Sequence, residues 1–390
     1  MSDMKKKILL SVCGGIAAYK AIDLASRLYK AGYEIRTVLT EDACRFVSPI
    51  NFAAITHSTV HQSLWEDADA IPHIALADWA DLIVVAPATA NTIAQAAHGF
   101  ADNLLSSILL AHTKPILWVP AMNVNMYANP ATRENLDILR NRGHYILEPE
   151  TGMLACAYEG KGKYPPNEEI MYAVQSYLNY ERDLQGKKVM VTCGATIEAI
   201  DPMRMITNRS SGKMGLAIAR ALALRGAEVT LIHGSISQEI PYYLKEVIPA
   251  LSVDQMYQAV ISHADGMDWI IKCAAVSDYK PQETSEHKIK KGANLVLDLL
   301  PTIDILAALG KNKGKSQLLI GFAAETQDLI RNAEQKMKKK NLDLIIANHL
   351  GNAGKDTNSI SIISRAADPE LLEGSKFELA HQIIDRIKRI

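Results

Sequence analysis

The 390-residue sequence has few cysteines, no C-x-x-C pair, no long block of like charge and no apolar run of membrane length. Its five cysteines, Cys13, Cys44, Cys156, Cys193 and Cys273, are scattered. An odd count without metal-ligand spacing points to free thiols in a reducing compartment. The formal net charge is -1, and no like-charge block exceeds a few lysines. That argues against a generic nucleic-acid or membrane-surface role. No stretch approaches the roughly 18 apolar residues of a membrane span. Lys5-Lys6-Lys7 before ILLSVC imitates the start of a signal peptide, but its apolar run ends at a Gly-Gly pair, too short for a signal core. A cytoplasmic protein, binding neither nucleic acid nor membrane, is expected.

What is present is a soluble globular balance, 48% hydrophobic and 22% charged, on a chain too long for one core. KILLSV (7–12) reads as a buried strand, followed by a glycine pair, a helix ending near Gly32, and the strand EIRTVLT (34–40). The cycle returns as KVMVTCG (188–194), a helix through GLAIARALALRG, and AEVTLIHG (227–234). Two β-α-β starts imply an α/β protein of two Rossmann-like domains with mostly parallel sheets. Further strands are expected at 81–88, 115–122, 268–275, 317–324 and 343–348, and a helix over about 167–180. The domains are expected at 1–187 and 188–390. Carboxyl ends of parallel strands are where sites are sought.

Gly14-Gly15 at the first strand-to-helix turn lets a ligand approach the backbone, with the helix N-terminus favouring phosphate; a turn needed only for packing is the plainer alternative. The turn is not G-x-G-x-x-G, and the second strand ends in Leu39-Thr40 rather than an acid for a ribose, which counts against NAD. His73 lies upstream of a strand opening into Pro-Ala-Thr-Ala-Asn, and PAMNVNMY (120–127) repeats that device with Asn123 just beyond. A lone histidine is commonly structural; the combination is more particular.

GGIAAYK, PHI-x-L-x-x-WAD, APATANTIA, PAMN-x-x-M and LAC-x-x-EGKG occur in order over residues 7–166. Together they resemble the flavin-containing cysteine decarboxylase family, one member of which acts on phosphopantothenoylcysteine in coenzyme A synthesis. The resemblance implies a flavodoxin-like first domain holding FMN and a homotrimeric unit with the flavin near a subunit interface. It implies cofactor contacts from Gly14, Gly15, Ile16, Thr40, Phe46, Ala88, Thr89, Ser106 and Met122. It assigns His73 a base or orienting role, Asn123 the substrate carboxylate, and Cys156, on a flap, the final proton. The chemistry needs such a set: a carboxylate on a saturated carbon leaves only after oxidation of the neighbouring CH2-SH supplies an electron sink. General-acid help is typically worth about 10²–10⁴ in rate. Glycines around Cys156 suit a flap that excludes water.

In the second half, a polar excursion leads to Ser210-Ser211-Gly212-Lys213 at a helix start, which reads equally as a phosphate site or a capping turn. With AAVSDYKP, HKIKK, GFAAET and KMKKKNLDLIIAN, it looks like the phosphopantothenate-cysteine ligase that bacteria commonly fuse behind the decarboxylase. The resemblance implies CTP, an acyl-cytidylate and Mg²⁺, its ligands unassigned. It maps CTP contacts to Ala274, Asp278, Lys288, Ile303, Asp304, Ile305, Leu306, Phe322, Lys336 and Lys340, and catalysis to Asn208, with Arg204 nearby, and Lys288. On its own, the lysine run 336–340 reads as a solvated helix face. The chain departs from the family at LLPTIDIL, where Ile303 precedes Asp304, and lacks a phenylalanine in the loop NAGKDTNSISII.

The expectation is a bifunctional enzyme that joins cysteine to phosphopantothenate with CTP and then decarboxylates the product to phosphopantetheine. The resemblance implies a homo-oligomer of trimeric decarboxylase units with dimeric ligase contacts, as in a dodecamer. A flavin-binding regulatory scaffold with a degenerate ligase half, or an NAD dehydrogenase, are the competing classes.

Overall fold

A computed structural model describes residues 5–65, 71–154, 158–292, 295–325, 329–349, 355–365 and 367–390. The chain divides into two compact units, Met1–Asn179 and Tyr180–Ile390.

In the first unit, β1 (Lys7–Val12) is buried on both faces, as a central strand of a parallel sheet must be. Ile8, Leu9, Leu10 and Val12 are wholly enclosed, each worth about 1.5–3 kcal/mol of burial. α1 (Ala18–Lys30) buries Ala18, Ala21, Leu24, Ala25 and Leu28 along one stripe and ends before Gly32, whose φ of 91° supplies the left-handed stop. There follow β2 (Glu34–Leu39), α2 (Pro49–Thr56), β3 (Val60–His61), α3 (Pro72–Trp79), β4 (Leu82–Ala88), α4 (Ala90–His98) and α5 (Leu104–Ala111). The unit continues with β5 (Ile116–Pro120), α6 (Val124–Ala128), α7 (Pro130–Asn141), β6 (Tyr145–Ile146), the hairpin β7 (Glu150–Met153) and β8 (Glu159–Lys163), and α8 (Asn167–Asn179). The parallel sheet runs β3-β2-β1-β4-β5-β6. Without the two-residue edge strand β3, the other five are in flavodoxin order. Either way the order reverses between β1 and β4.

The second unit repeats the plan: β9 (Lys188–Cys193), the hairpin β10 (Ile197–Ala199) and β11 (Met205–Thr207), α9 (Lys213–Leu224), β12 (Glu228–His233), β13 (Glu246–Pro249), α10 (Val253–His263) and β14 (Trp269–Lys272). A second hairpin pairs β15 (Tyr279–Pro281) with β16 (Leu299–Pro301), followed by α11 (Ile305–Asn312), β17 (Leu318–Glu325), α12 (Leu329–Lys339) and β18 (Leu344–His349). The unit closes with β19 (Thr357–Ser364), β20 (Glu370–Ser375) and α13 (Lys376–Ile387). Its sheet order is β13-β12-β9-β14-β17-β18-β19-β20, parallel through β18 and antiparallel at the last two strands. The sequence reading contained neither hairpin nor the antiparallel edge.

Tyr180 to Lys187, placed with the first half from the sequence, packs with the second unit. Arg225 explains this: its nearly buried guanidinium grips Asp183 at 2.7 Å and Asp385 at 2.6 Å, and its carbonyl accepts from the Leu184 amide.

Candidate functional site

The reversal point of the first sheet opens into a cavity of about 620 Å³. Its walls are the turns after three neighbouring strands: Gly14–Ala17 after β1, Thr89 and Ala90 after β4, and Ala121–Asn123 after β5. Gly14 is obligatory there, because a Cβ would stand 2.3 Å from that of Asp42. α1 starts without a side-chain cap, but its Ala18 amide already reaches the Gly15 carbonyl at 2.9 Å and its Lys20 amide the Ala17 carbonyl at 3.0 Å, so what the helix start offers an anion is chiefly its dipole. Thr89 caps α4 by accepting from the Thr92 amide at 3.3 Å, and Asn123 caps α6 through the Asn125 amide at 2.9 Å.

The β7–β8 hairpin lies against the third of these walls. Met122 donates its amide to the Gly162 carbonyl at 3.0 Å, and a Cβ on Gly162 would meet the Met122 oxygen at 2.3 Å. Glu148 anchors the approach to the hairpin by accepting from Tyr127 at 2.6 Å and pairing with Lys161 at 2.5 Å and with Arg140. Burial would raise the Glu148 carboxyl, but those donors outweigh it and hold it below its ordinary range. Met153 and Leu154 of this hairpin line the cavity. Cys156 lies outside the described residues.

Of the residues expected from the sequence, Gly14, Gly15, Ile16, Thr89, Met122 and Asn123 come together at this cavity. Ala88 is wholly buried, one residue before the lining. Thr40 closes β2, accepting from the Ala43 amide at 3.2 Å, and Phe46 is half exposed; neither lines the cavity. Ser106 is buried in the capping box of α5, where its amide reaches Asn103 at 3.0 Å. His73 lines a different depression, of about 630 Å³, with Leu64, Trp65, Ile74 and Leu110.

The reading passed over Lys20, Lys163 and Tyr164, all of which line the first cavity. Burial and the neighbouring Lys163 lower the Lys20 ammonium. It sits 5.4 Å from the Tyr164 ring centroid. The Tyr164 hydroxyl is buried without a hydrogen-bond partner among the described residues, and burial pushes the phenol up. The signal was available: Lys20 ends the quoted GGIAAYK, and Tyr164 follows the GKGK of the flap.

The second sheet reverses between β9 and β14. Gly194 there has a φ of 79°, and a Cβ would meet the Ser235 oxygen at 2.5 Å. α9 begins after Gly212, again with no side-chain cap, and Lys213 pairs with Asp356 at 2.6 Å. Asn208 donates its side-chain amide to the Val276 carbonyl at 3.1 Å, beside Ala274, whose own amide reaches the Thr192 hydroxyl at 3.1 Å. Arg204 holds the segment bearing Lys288, donating to the Ile289 carbonyl at 3.0 Å and pairing with Asp201 at 3.1 Å. Lys288 itself and Asp278 are exposed.

A tighter group forms where α11 and α12 meet β17. Asp304 caps α11 through the Ala307 amide at 3.0 Å and pairs with Lys340 at 2.8 Å, while Lys336 donates to the Phe322 carbonyl at 3.0 Å. The structure thus brings Asp304, Phe322, Lys336 and Lys340 together. Ile303 is 47% exposed just before this cap, whereas Ile305 and Leu306 put their side chains into the core and offer a ligand only their backbone. The lysines of α12 are therefore partly engaged, not a merely solvated face.

The family described as Flavoprotein matches residues 1–179, and that described as DNA/pantothenate metabolism flavoprotein C-terminal domain matches residues 184–390. The Coenzyme A biosynthesis bifunctional protein CoaBC of Bacillus subtilis (strain 168) is 44% identical, over 98% of this chain and 96% of that one. The protein of that description from Haemophilus influenzae is 42% identical over 98% and 97%. Among solved structures, the C-terminal domain of a CoaBC protein is 39% identical, covering 53% of this chain and 96% of that one with a TM-score of 0.46. A PPC decarboxylase variant complexed with pantothenoylaminoethenethiol is 32% identical, covering 44% and 97% with a TM-score of 0.40.

Proposed function

The chain belongs to the CoaBC family of bifunctional coenzyme A biosynthesis enzymes, which carry decarboxylase and ligase activities, and from that premise we propose how its residues divide the two reactions. The ligase, in the second unit, joins cysteine to phosphopantothenate with CTP through an acyl-cytidylate. The decarboxylase, in the first, converts phosphopantothenoylcysteine to phosphopantetheine with FMN.

The observation that carries the first assignment is the cavity at the sheet's reversal point, with Gly14 excluding any side chain and the positive end of α1 starting there. The volume, the mostly aliphatic and glycine lining and the unpartnered Tyr164 hydroxyl fit a flavin mononucleotide. A bound FMN would accept two electrons from the substrate's thiol-bearing carbon, which lets the carboxylate depart as carbon dioxide, and would give them back as a hydride to the enethiol that remains. Asn123 at the start of α6 holds that carboxylate, and Cys156 returns the final proton. Met153 and Leu154, at the cavity wall, support this reading of the hairpin. His73 lines a separate depression of its own protomer, so its orienting role calls for a homotrimer in which one copy's His73 serves another's cavity.

In the second unit Lys336 and Lys340 bind phosphate oxygens, Phe322 the base, and Asn208 and Lys288 the reacting acyl-cytidylate. Among the described residues no group of three or more His, Cys, Asp or Glu side chains gathers to hold a metal. Mg²⁺ would neutralise charge on the triphosphate, its ligands on this chain unassigned. Exposed Val296, Leu299 and Leu300 suit ligase dimer contacts, and trimers joined by such dimers give a dodecamer. No helix among the described residues is long and apolar enough to cross a membrane.

The test is direct. The purified chain is expected to be yellow, and with CTP, cysteine and phosphopantothenate to release pyrophosphate and carbon dioxide and form phosphopantetheine. A Cys156→Ser variant is expected to make phosphopantothenoylcysteine and remove its carboxylate but to stall at the enethiol, losing about 10²–10⁴ in final product formation. Normal turnover by that variant would remove Cys156 from the mechanism.

A further inference from the structure

Lys272 is the last residue of β14, at the carboxyl end of the strand beside the second sheet's reversal point. It is 7% exposed. Strand alternation puts its side chain on the face of Ile270, the face covered by the core residues Ile305 and Leu309 of α11 and Ala333 and Met337 of α12. Its register partner on β17 is Gly321, which has no side chain to contest the space. Among the described residues no acceptor lies within hydrogen-bonding distance of its ammonium. The electrostatic neighbours are Lys336 and Lys340 from α12, Asp304 from the cap of α11, and Cys273 on its own strand. Asp304 is already paired with Lys340. Lys272 thus has two cations beside it and a carboxylate that Lys340 already holds, in a largely enclosed place. Such an ammonium costs heavily to bury without a counter-charge.

We propose that Lys272 is the third cation, with Lys336 and Lys340, of an anion site that grips the polyphosphate chain of the nucleotide in the second unit. The nucleotide's identity rests on the ligase reading above; the anion site does not. An incoming polyphosphate supplies the oxygen acceptors that the protein leaves out. It also changes the proton count. In the free chain burial, reinforced by Lys336 and Lys340, lowers the Lys272 ammonium to about 7, so at pH 8 it is mostly neutral. The Cys273 thiol is pushed up by burial to about 12 and stays protonated, so it supplies no compensating charge. An anion against Lys272 restores the ordinary ammonium, and the complex takes up a proton from water.

Calorimetric titration of the full chain with CTP, and separately with inorganic tripolyphosphate, in two pH 8 buffers of different ionisation heat measures that uptake. The wild type is expected to take up close to one proton with either ligand. Lys272→Arg, charged throughout, is expected to keep affinity within about threefold and lose the uptake. Lys272→Met is expected to weaken both ligands at least tenfold while melting no lower than wild type in the free state. If the Met variant does not fold, the comparison of wild type with Lys272→Arg decides. Equal uptake by those two, or wild-type affinity in a folded Met variant, would overturn the proposal. Tripolyphosphate binding with Lys272-dependent uptake but no CTP binding would keep the anion site and remove the nucleotide reading. Absence of binding by either ligand to the wild type would remove both.

Discussion

Val85 and Lys272 hold the same place in two sheets built alike. In the first unit Asp81 accepts the Lys7 amide at 2.9 Å, fixing the start of β1 against β4; in the second Asp268 accepts the Lys188 amide at 2.8 Å, fixing β9 against β14. Counted from those anchors, Ser11 faces Val85 and Thr192 faces Lys272. Val85 is wholly buried and apolar, beneath a cavity with a mostly apolar lining. Lys272 is nearly as buried and cationic, beside two further lysines. The comparison teaches that the strand framework is indifferent to the chemistry it carries. The same register position is apolar in one sheet and cationic in the other, with the strands around it unchanged.

The sharpest way to separate the units is through Arg225, which only the second contains. Its guanidinium, 3% exposed, joins Asp183 and Asp385 across the start and end of that unit. Arg225→Met takes this partner from both carboxylates, leaving Asp183 with Lys388 alone, and breaking a buried pair in this way costs up to about 3–5 kcal/mol. Hydrogen exchange is expected to show the loss across β9, β12 and β14 and none in β1, β2 and β4. A loss shared by both units would mean that they do not fold as separate bodies.

Next in size is Gly310. A Cβ there would meet the Lys340 carbonyl oxygen at 2.0 Å, so Gly310→Ala must push α11 away from the end of α12. Overpacking of this kind costs about 1–3 kcal/mol. Because Asp304 and Lys340 sit on those same elements, CTP binding is expected to weaken while flavin colour is kept; unchanged nucleotide affinity would put the binding site elsewhere.

These two tests also mark what could be read from residues alone. KILLSV and KVMVTC were legible because a strand buried on both faces must be an unbroken apolar run. Gly32 was legible because a helix stop asks for a left-handed residue. β19, β20 and the two hairpins escaped, since short strands such as Met205–Thr207 and Leu299–Pro301 carry too few residues for an alternation to register. The turn residues Gly14, Thr89 and Asn123 were legible because they follow strand ends in sequence as well as in space. Lys272 was not. Inside DWIIKCAA it looks like one polar residue in an apolar run, and only the packing of α11 and α12 against β14 reveals its company. His73 is motif-bound in sequence, yet in its own protomer it lines a different depression.

A smaller effect tests the shared anchor. Asp81→Ala and Asp268→Ala each remove one carboxylate-to-amide hydrogen bond at a strand start and, with it, contacts to Lys114 and Lys187. Both sites are partly exposed, so each change is expected to cost about 1 kcal/mol. Denaturant unfolding of the two variants is expected to give nearly equal losses, each in its own unit. A difference of more than about 1 kcal/mol would break the equivalence on which the pairing of Val85 with Lys272 stands.

The smallest effect at neutral pH, and the most selective in acid, belongs to His381. It is wholly buried on α13, stacked on Tyr180 at 3.9 Å, and burial, helped by the Arg225 charge, lowers it to about 3. An unfolded chain protonates this histidine near pH 6.5, whereas the folded unit resists until about 3. Its contribution is therefore complete above pH 6.5 and drains away as pH falls. Asp183 loses ground in the same direction but lower. Burial alone would raise it, yet Arg225 and Lys388 hold it at about 2, so its share is kept above the unfolded value near 4. Between pH 6.5 and 4.5 the histidine is thus the member of this cluster that titrates. His381→Phe keeps a ring on Tyr180 and removes the proton site. At pH 7.5 it is expected to change stability by under about 1 kcal/mol. Below pH 6 it is expected to flatten the second unit's acid slope by up to about 1.4 kcal/mol per pH unit. The first unit has its own histidines, the buried His112 and the half-buried His144, both lowered mainly by desolvation, and its slope is expected to stay as it was. A second-unit slope that survives His381→Phe would show that the histidine is already charged in the fold, and that the Arg225 cluster holds together by some balance other than the one its neighbours imply.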